Sequence, residues 1–159
     1  MRPTASSTRQ CKALWNILAQ SGHRCQALNW HASHPAENVN GVCVSQLFPV
    51  APASATPDAW PPQAEAVHPP ELTEDLADLR FHPAEVTAQM LQQFIPEAAQ
   101  LDQRDPEVQR LLNSLAHRLA DCISVHALTT AVMKEHDGDF CTAHYDTIGT
   151  STTPRRTTA

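Results

Sequence analysis

Glycine is nearly missing from this chain: four occur in 159 residues, against thirteen prolines. No glycine-rich phosphate loop of the P-loop or GxGxxG kind and no GxSxG nucleophile elbow can be written anywhere along it. Aromatic residues amount to 5% and hydrophobic residues to 42%, a little under the usual globular share. A modest core is affordable, but not over the whole length. No apolar run is long enough for a signal peptide or a membrane-crossing helix, so the chain as written is expected in the cytoplasm, with no membrane partner. Basic residues are also few, 11 Lys and Arg against 17 Asp and Glu for a formal charge of -6. A nucleic-acid partner would need clustered Lys and Arg, and the pair Arg155-Arg156 stands in a tail with nothing to pack. Cysteines fall at 11, 25, 43, 122 and 141. An odd count with no CxxC pair excludes a disulfide framework and a zinc ribbon, leaving buried free thiols in a reducing compartment.

What is present reads as alternating elements. Apolar residues at Cys11, Leu14, Trp15 and Leu18 have helical spacing, which predicts a helix over Arg9 to Gln20 stopped by Gly22. "CQALNW" predicts a strand from Cys25 to Trp30. After the polar loop "HASHPAENVNG", "VCVSQLF" predicts a second strand from Val42 to Phe48. This α-β-β piece occupies residues 1–48. Residues 49–70 hold seven of the prolines and read as a Pro-rich linker or surface excursion with no regular helix or inner strand. Residues 71–148 are helical and then extended. "ELTEDLADLR" and "TAQMLQQF", the latter capped by Thr87, are short helices. A long one begins at Asp105, with Pro106 at its first position and Glu107 in its first turn. Its apolar stripe runs towards His136, with a break expected near Ser124 or Thr129-Thr130. "FCTAHYD" predicts a last strand, and 149–159 reads as a disordered tail. The fold class is α/β, helix-rich, with about three strands.

Nine histidines raise the question of a metal. His31 and His34, with Glu37, share one loop, but their spacing and the intervening Pro35 are wrong for a zincin pair. His117 and His126 lie on the long helix as core or boundary residues. His144 and Asp146, two apart on a strand, share a face, near the strand end where ligands bind in open α/β sheets.

Three stretches together resemble the alkaline-phosphatase-like superfamily, in particular its type I phosphodiesterase/nucleotide pyrophosphatase family. The first is "CKALWNILAQSGHRCQALNWHASHPAENVNGVCVSQLF". It carries Lys12, Trp15, Ile17 and Leu18 of a K-x-x-W-x-I-L helix, then Trp30, Pro35-Ala36-Glu37, Asn40-Gly41 and Val44-Ser45. "VHPPEL", "LRFHPAEVTAQML" and "SVHA" are similar to the relatives' helical insertion, and Tyr145-Asp146-Thr147-Ile148 is similar to their Y-D-A-I. The family has Pro at the position of Ala32 and Asn or Asp at that of Gln46. The resemblance implies a partial α/β/α sandwich and, in intact relatives, hydrolysis of phosphate esters or diesters at a site of two zinc ions. The relatives' Thr or Ser nucleophile and an early metal-binding Asp lie upstream of the matched stretch. After Y-D-A-I the relatives continue D-H-F-x-H, where this chain has Gly149, Thr150, Ser151, Thr152 and Thr153. Asp146 aligns with the aspartate before the ligand, so no catalytic residue and no zinc ligand carries over, and no cofactor is expected in this chain.

The reading that follows is a truncated, catalytically incompetent fragment of a metal-dependent phosphoesterase, its tail out of frame with the relatives. The alternative is a stand-alone, non-catalytic interaction protein built on the helices of 71–136. Catalysis with a different metal set, from His31, His34, His144 and Asp146, is a third. With only about three strands, Trp15, Ile17, Leu28 and Val42 are expected to lack packing partners.

Overall fold

The computed structural model describes residues 5–52, 54–96, 101–102 and 104–146. The tail and the Thr147-Ile148 end of the Y-D-T-I stretch lie outside the described residues. Four strands form one mixed sheet: β1 (Cys25–Trp30), β2 (Gly41–Ser45), β3 (Val67–His68) and β4 (Phe140–Ala143). Their order is β3-β2-β1-β4, with β1 parallel to both β2 and β4 and β3 antiparallel to β2. Cys25 stands opposite Gly41 on one side and Phe140 on the other.

Helices cover both faces. On one, α1 (Leu14–Gln20) presses Trp15 onto Cys25, Ala27 and Cys43. The small side chains there leave room for the indole. On the other, Leu28, Val42 and Val44 pack with Phe48, Leu76, Leu128 and Val132, the last two from α4 (Pro106–Glu135). Alternation along β1 and β2 sends neighbouring residues to opposite faces, and both faces are buried, as parallel sheets require. Short helices α2 (Thr73–Ala77) and α3 (Ala88–Gln92) precede α4. Asp105 caps α4 by accepting from the Glu107 amide at 2.8 Å, and Thr87 caps α3 by accepting from Met90 N at 3.3 Å.

Several sequence expectations are corrected. Among the described residues there are four strands, because the Pro-rich segment returns at Val67–His68 to pair along the sheet edge, where a proline next to a strand does no harm. The first helix begins at Leu14, and Cys11 and Leu14 are exposed; residues 6–8 form a separate 3-10 turn. β2 stops at Ser45, and Phe48 is buried from the turn that follows. α4 runs unbroken through Ser124 and Thr129. Ser124 donates to Ala120 O at 2.8 Å and accepts from Phe81 N at 2.8 Å, so its hydroxyl ties the incoming chain to the helix instead of bending it. Trp15, Leu28 and Val42 are buried and well partnered, and of the four residues expected to be orphaned only Ile17 stays exposed. His117 and His126 are exposed on α4. All five thiols are free, and only Cys25 and Cys43 are buried. Burial pushes the Cys43 thiol up to about 11, which makes it an inert packing residue.

Candidate functional site

The carboxyl ends of β1 and β4 lie side by side, and their geometry starts with Asn29. At that residue β1 takes a left-handed conformation, φ 58°, and its register with β2 slips between Leu28 and Trp30. Asparagine tolerates this conformation better than most residues. The extra residue puts Trp30 on the same face as Cys25 and Ala27, against Trp15, with ring centroids 5.9 Å apart. The Asn29 side chain donates to His144 O at 2.8 Å, and His144 N donates to Leu28 O at 3.0 Å. Two hydrogen bonds thus hold the residue after β4 against the end of β1.

His144 is thereby set beside Trp30 and His31, with ring centroids 5.2 Å and 4.7 Å away. Trp30 itself donates from Nε1 to Thr142 Oγ1 at 3.1 Å, so its indole braces both strands. His31 Nε2 stands 3.6 Å from Asp146 Oδ1. Ligand atoms of His31, His144 and Asp146 all fall within 4.8 Å of one another. β4 ends at Ala143, so His144 and Asp146 reach this cluster from the turn beyond the strand and not from one face of it. Across from them on α4, the Asp121 carboxyl is pushed up to about 6 by burial, with Asp146 adding to the rise and Arg118 opposing it. Tyr145 OH lies 3.4 Å from His126 Nδ1.

His34 is elsewhere: its Nδ1 meets Ser45 Oγ at 3.2 Å, and its carbonyl accepts from Ser6 N at 2.8 Å. Glu37 is also kept from the histidines. Its carboxylate accepts from Trp15 Nε1 at 2.8 Å and pairs with Arg9, whose guanidinium stacks 5.3 Å above the Trp15 ring. The Pro-Ala-Glu loop therefore fastens α1 and the chain before it to the sheet. The Ser6 hydroxyl adds a bond to Pro35 O at 2.8 Å, and Ala36 sits in the cluster under Trp15. Asn40 donates to the carbonyls of Gly22 and His23, each at 3.2 Å, closing the turn between α1 and β1. Gln46 Oε1 accepts from Ala32 N at 2.8 Å, and Gln46 N donates to Ser33 Oγ at 3.0 Å, fixing the loop that carries His31.

Sequence reading missed Asn29, Arg9 and Asp121. An asparagine one residue before the end of an apolar strand was the available signal for the bulge. Arg9 and Asp121 act across the fold and leave no local signal. A separate cleft of about 530 Å³ lies between the Pro-rich segment and the chain after α2. Arg80 occupies its wall, 4.1 Å over the Trp60 ring and hydrogen-bonded to Trp60 O. That contact straps residues 57–62 down beside His82, whose ring lies 5.5 Å from that of Trp60.

Fold and site together define an α/β protein with helices on both faces of a mixed sheet and a His-His-Asp cluster at the carboxyl ends of two parallel strands. No protein-family model, curated protein or solved structure matches the chain. No helix among the described residues is long and apolar enough to cross a membrane.

Proposed function

We propose that the chain is a scaffold segment of an alkaline-phosphatase-like phosphoester hydrolase of the type I phosphodiesterase/nucleotide pyrophosphatase kind, and that it does not hydrolyse phosphate esters alone. The observation that carries this is the size of the donor set. Two cations about 4 Å apart, each with about three protein ligands, are what such chemistry uses. The described residues bring together three donors, His31, His144 and Asp146. A two-zinc centre does not fit them. The residues that carry the resemblance are instead spent on structure: Glu37 on Arg9 and Trp15, Asn40 on the turn after α1, Trp30 on bracing β1 against β4. Helices on both faces of parallel β1, β2 and β4 support the sandwich of that family as the parent architecture.

Bis(p-nitrophenyl) phosphate hydrolysis by the purified chain in excess Zn²⁺ tests the reading. The expected rate equals that of Zn²⁺ alone; turnover that disappears in His144→Ala would overturn it. A second reading, a non-catalytic helical interaction protein, is favoured by the amino-terminal half of α4. Burial on that helix begins at Ala120, and Leu111 is 57% exposed. Light scattering on the same sample discriminates, because self-association through this helix gives twice the 17.4 kDa chain mass, and a monomer removes that form of the reading.

A further inference from the structure

We infer that His31, His144 and Asp146 form a mononuclear site for a divalent cation of the zinc class. This does not rest on the hydrolase reading. It also differs from the pair the resemblance implies, since Asp146 aligns with the residue before the relatives' ligand.

The spacing suits one ion. Zinc bonds of about 2.0–2.1 Å in a tetrahedron hold ligand atoms about 3.3–3.4 Å apart. His31 Nε2 and Asp146 Oδ1 are already 3.6 Å apart, and no pair in the cluster exceeds 4.8 Å. Side-chain rotation about His31, which is 68% exposed, closes the remainder without moving the sheet. His144, by contrast, is held by its own backbone bonds to Leu28 and Asn29. A fixed His144 and an exposed His31 beside Asp146 make a site that needs little reorganisation to bind.

The chemistry points to the same class. Two imidazoles and one carboxylate suit zinc, cobalt or nickel, whereas magnesium and calcium want oxygen ligands throughout. His144 Nδ1 is buried and has no hydrogen-bond partner in the described structure. A buried ring nitrogen without a partner is costly, and an ion bound there would supply one. The exposed side of His31 and Asp146 leaves the fourth position to water. In the absence of an ion, the 3.6 Å contact between His31 and Asp146 is solvent-exposed and worth little.

Zn²⁺ titration of the full chain by calorimetry, with Co²⁺ absorption as the coordination readout, tests the site. Expected are one ion per chain and the intense visible bands of four-coordinate Co²⁺. His31→Ala, in an exposed loop position, should retain the wild-type circular dichroism and bind at least about tenfold more weakly, the smallest loss that even outer-shell changes cause. His117→Ala, on exposed helix surface, should bind as wild type. Wild-type affinity in His31→Ala, or equal binding of Mg²⁺, would overturn the inference. These readouts involve no turnover, so their failure leaves the hydrolase-scaffold reading standing, and the reverse also holds.

Discussion

Gly41→Ala is expected to lower the stability of the chain by about 3 kcal/mol or more, a large fraction of the ~5–15 kcal/mol that holds a typical domain folded. Gly41 opens β2 at φ 132° and faces Cys25 across the β1–β2 pair. A Cβ built there would stand 2.2 Å from the Cys25 carbonyl oxygen and 2.9 Å from its amide nitrogen. Both are backbone atoms at the start of an interior strand, and neither can swing aside. Relief would require β1 and β2 to part, which breaks the Cys25 N to Asn40 O hydrogen bond at 2.7 Å. The unfavourable φ adds a further penalty of about 1–3 kcal/mol. Gly22, also at positive φ but with nothing within 4 Å, is the control, and alanine there should cost only the conformational part. Urea denaturation followed by circular dichroism compares the two. Equal losses at both positions would show that the close approach at Cys25 does not matter.

Glu37→Ala should cost about 2–3 kcal/mol, below the ~3–5 kcal/mol typical when one member of a fully buried ion pair is removed. The discount reflects the site: side chains of Arg9 and Glu37 keep 17% and 20% of their exposure, so water can take over part of the lost interaction. What remains is the Trp15 Nε1 donor, left without its acceptor beneath α1, and a guanidinium whose Nε already lacks a partner. Glu37→Gln keeps an oxygen for the indole and should recover about half of the loss. Tryptophan emission in a Trp30→Phe/Trp60→Phe background reports the site, because undocking of α1 exposes the remaining Trp15 ring. A Glu37→Ala protein with wild-type stability and unshifted emission would mean that α1 is held by apolar packing alone.

Both positions show how the sequence was and was not legible. β1 and the amino-terminal end of α4 could be read from local signals, an apolar run bounded by polar turns and an Asp-Pro-Glu start, because those signals act within a few residues. β3 could not. Two residues just ahead of Pro69-Pro70 carry no periodicity, and only the open edge of β2 makes them a strand. Gly41 and Glu37 stood out as parts of a familiar pattern, yet their roles depend on Cys25 and Arg9, 16 and 28 positions away. The candidate site divides in the same way. His144 and Asp146 stand out in the sequence as two residues of one predicted strand, and the structure puts them just past the end of β4. His34 stands three residues from His31 in the sequence, but the loop fixed by Gln46 and Ser33 sends the two to different neighbours. His31 joins His144 from 113 positions away only because β4 pairs with β1.

That pairing carries the whole account, since it completes the sheet and assembles the three donors. A nuclear Overhauser spectrum of the full chain measures it. The expected result is backbone cross-peaks in parallel register between β1 and β4, around Gln26 with Cys141 and Ala27 with Thr142, together with contacts between the His31 and His144 rings. Cross-peaks that place β4 antiparallel to β1, or β1 contacts confined to β2, would contradict it.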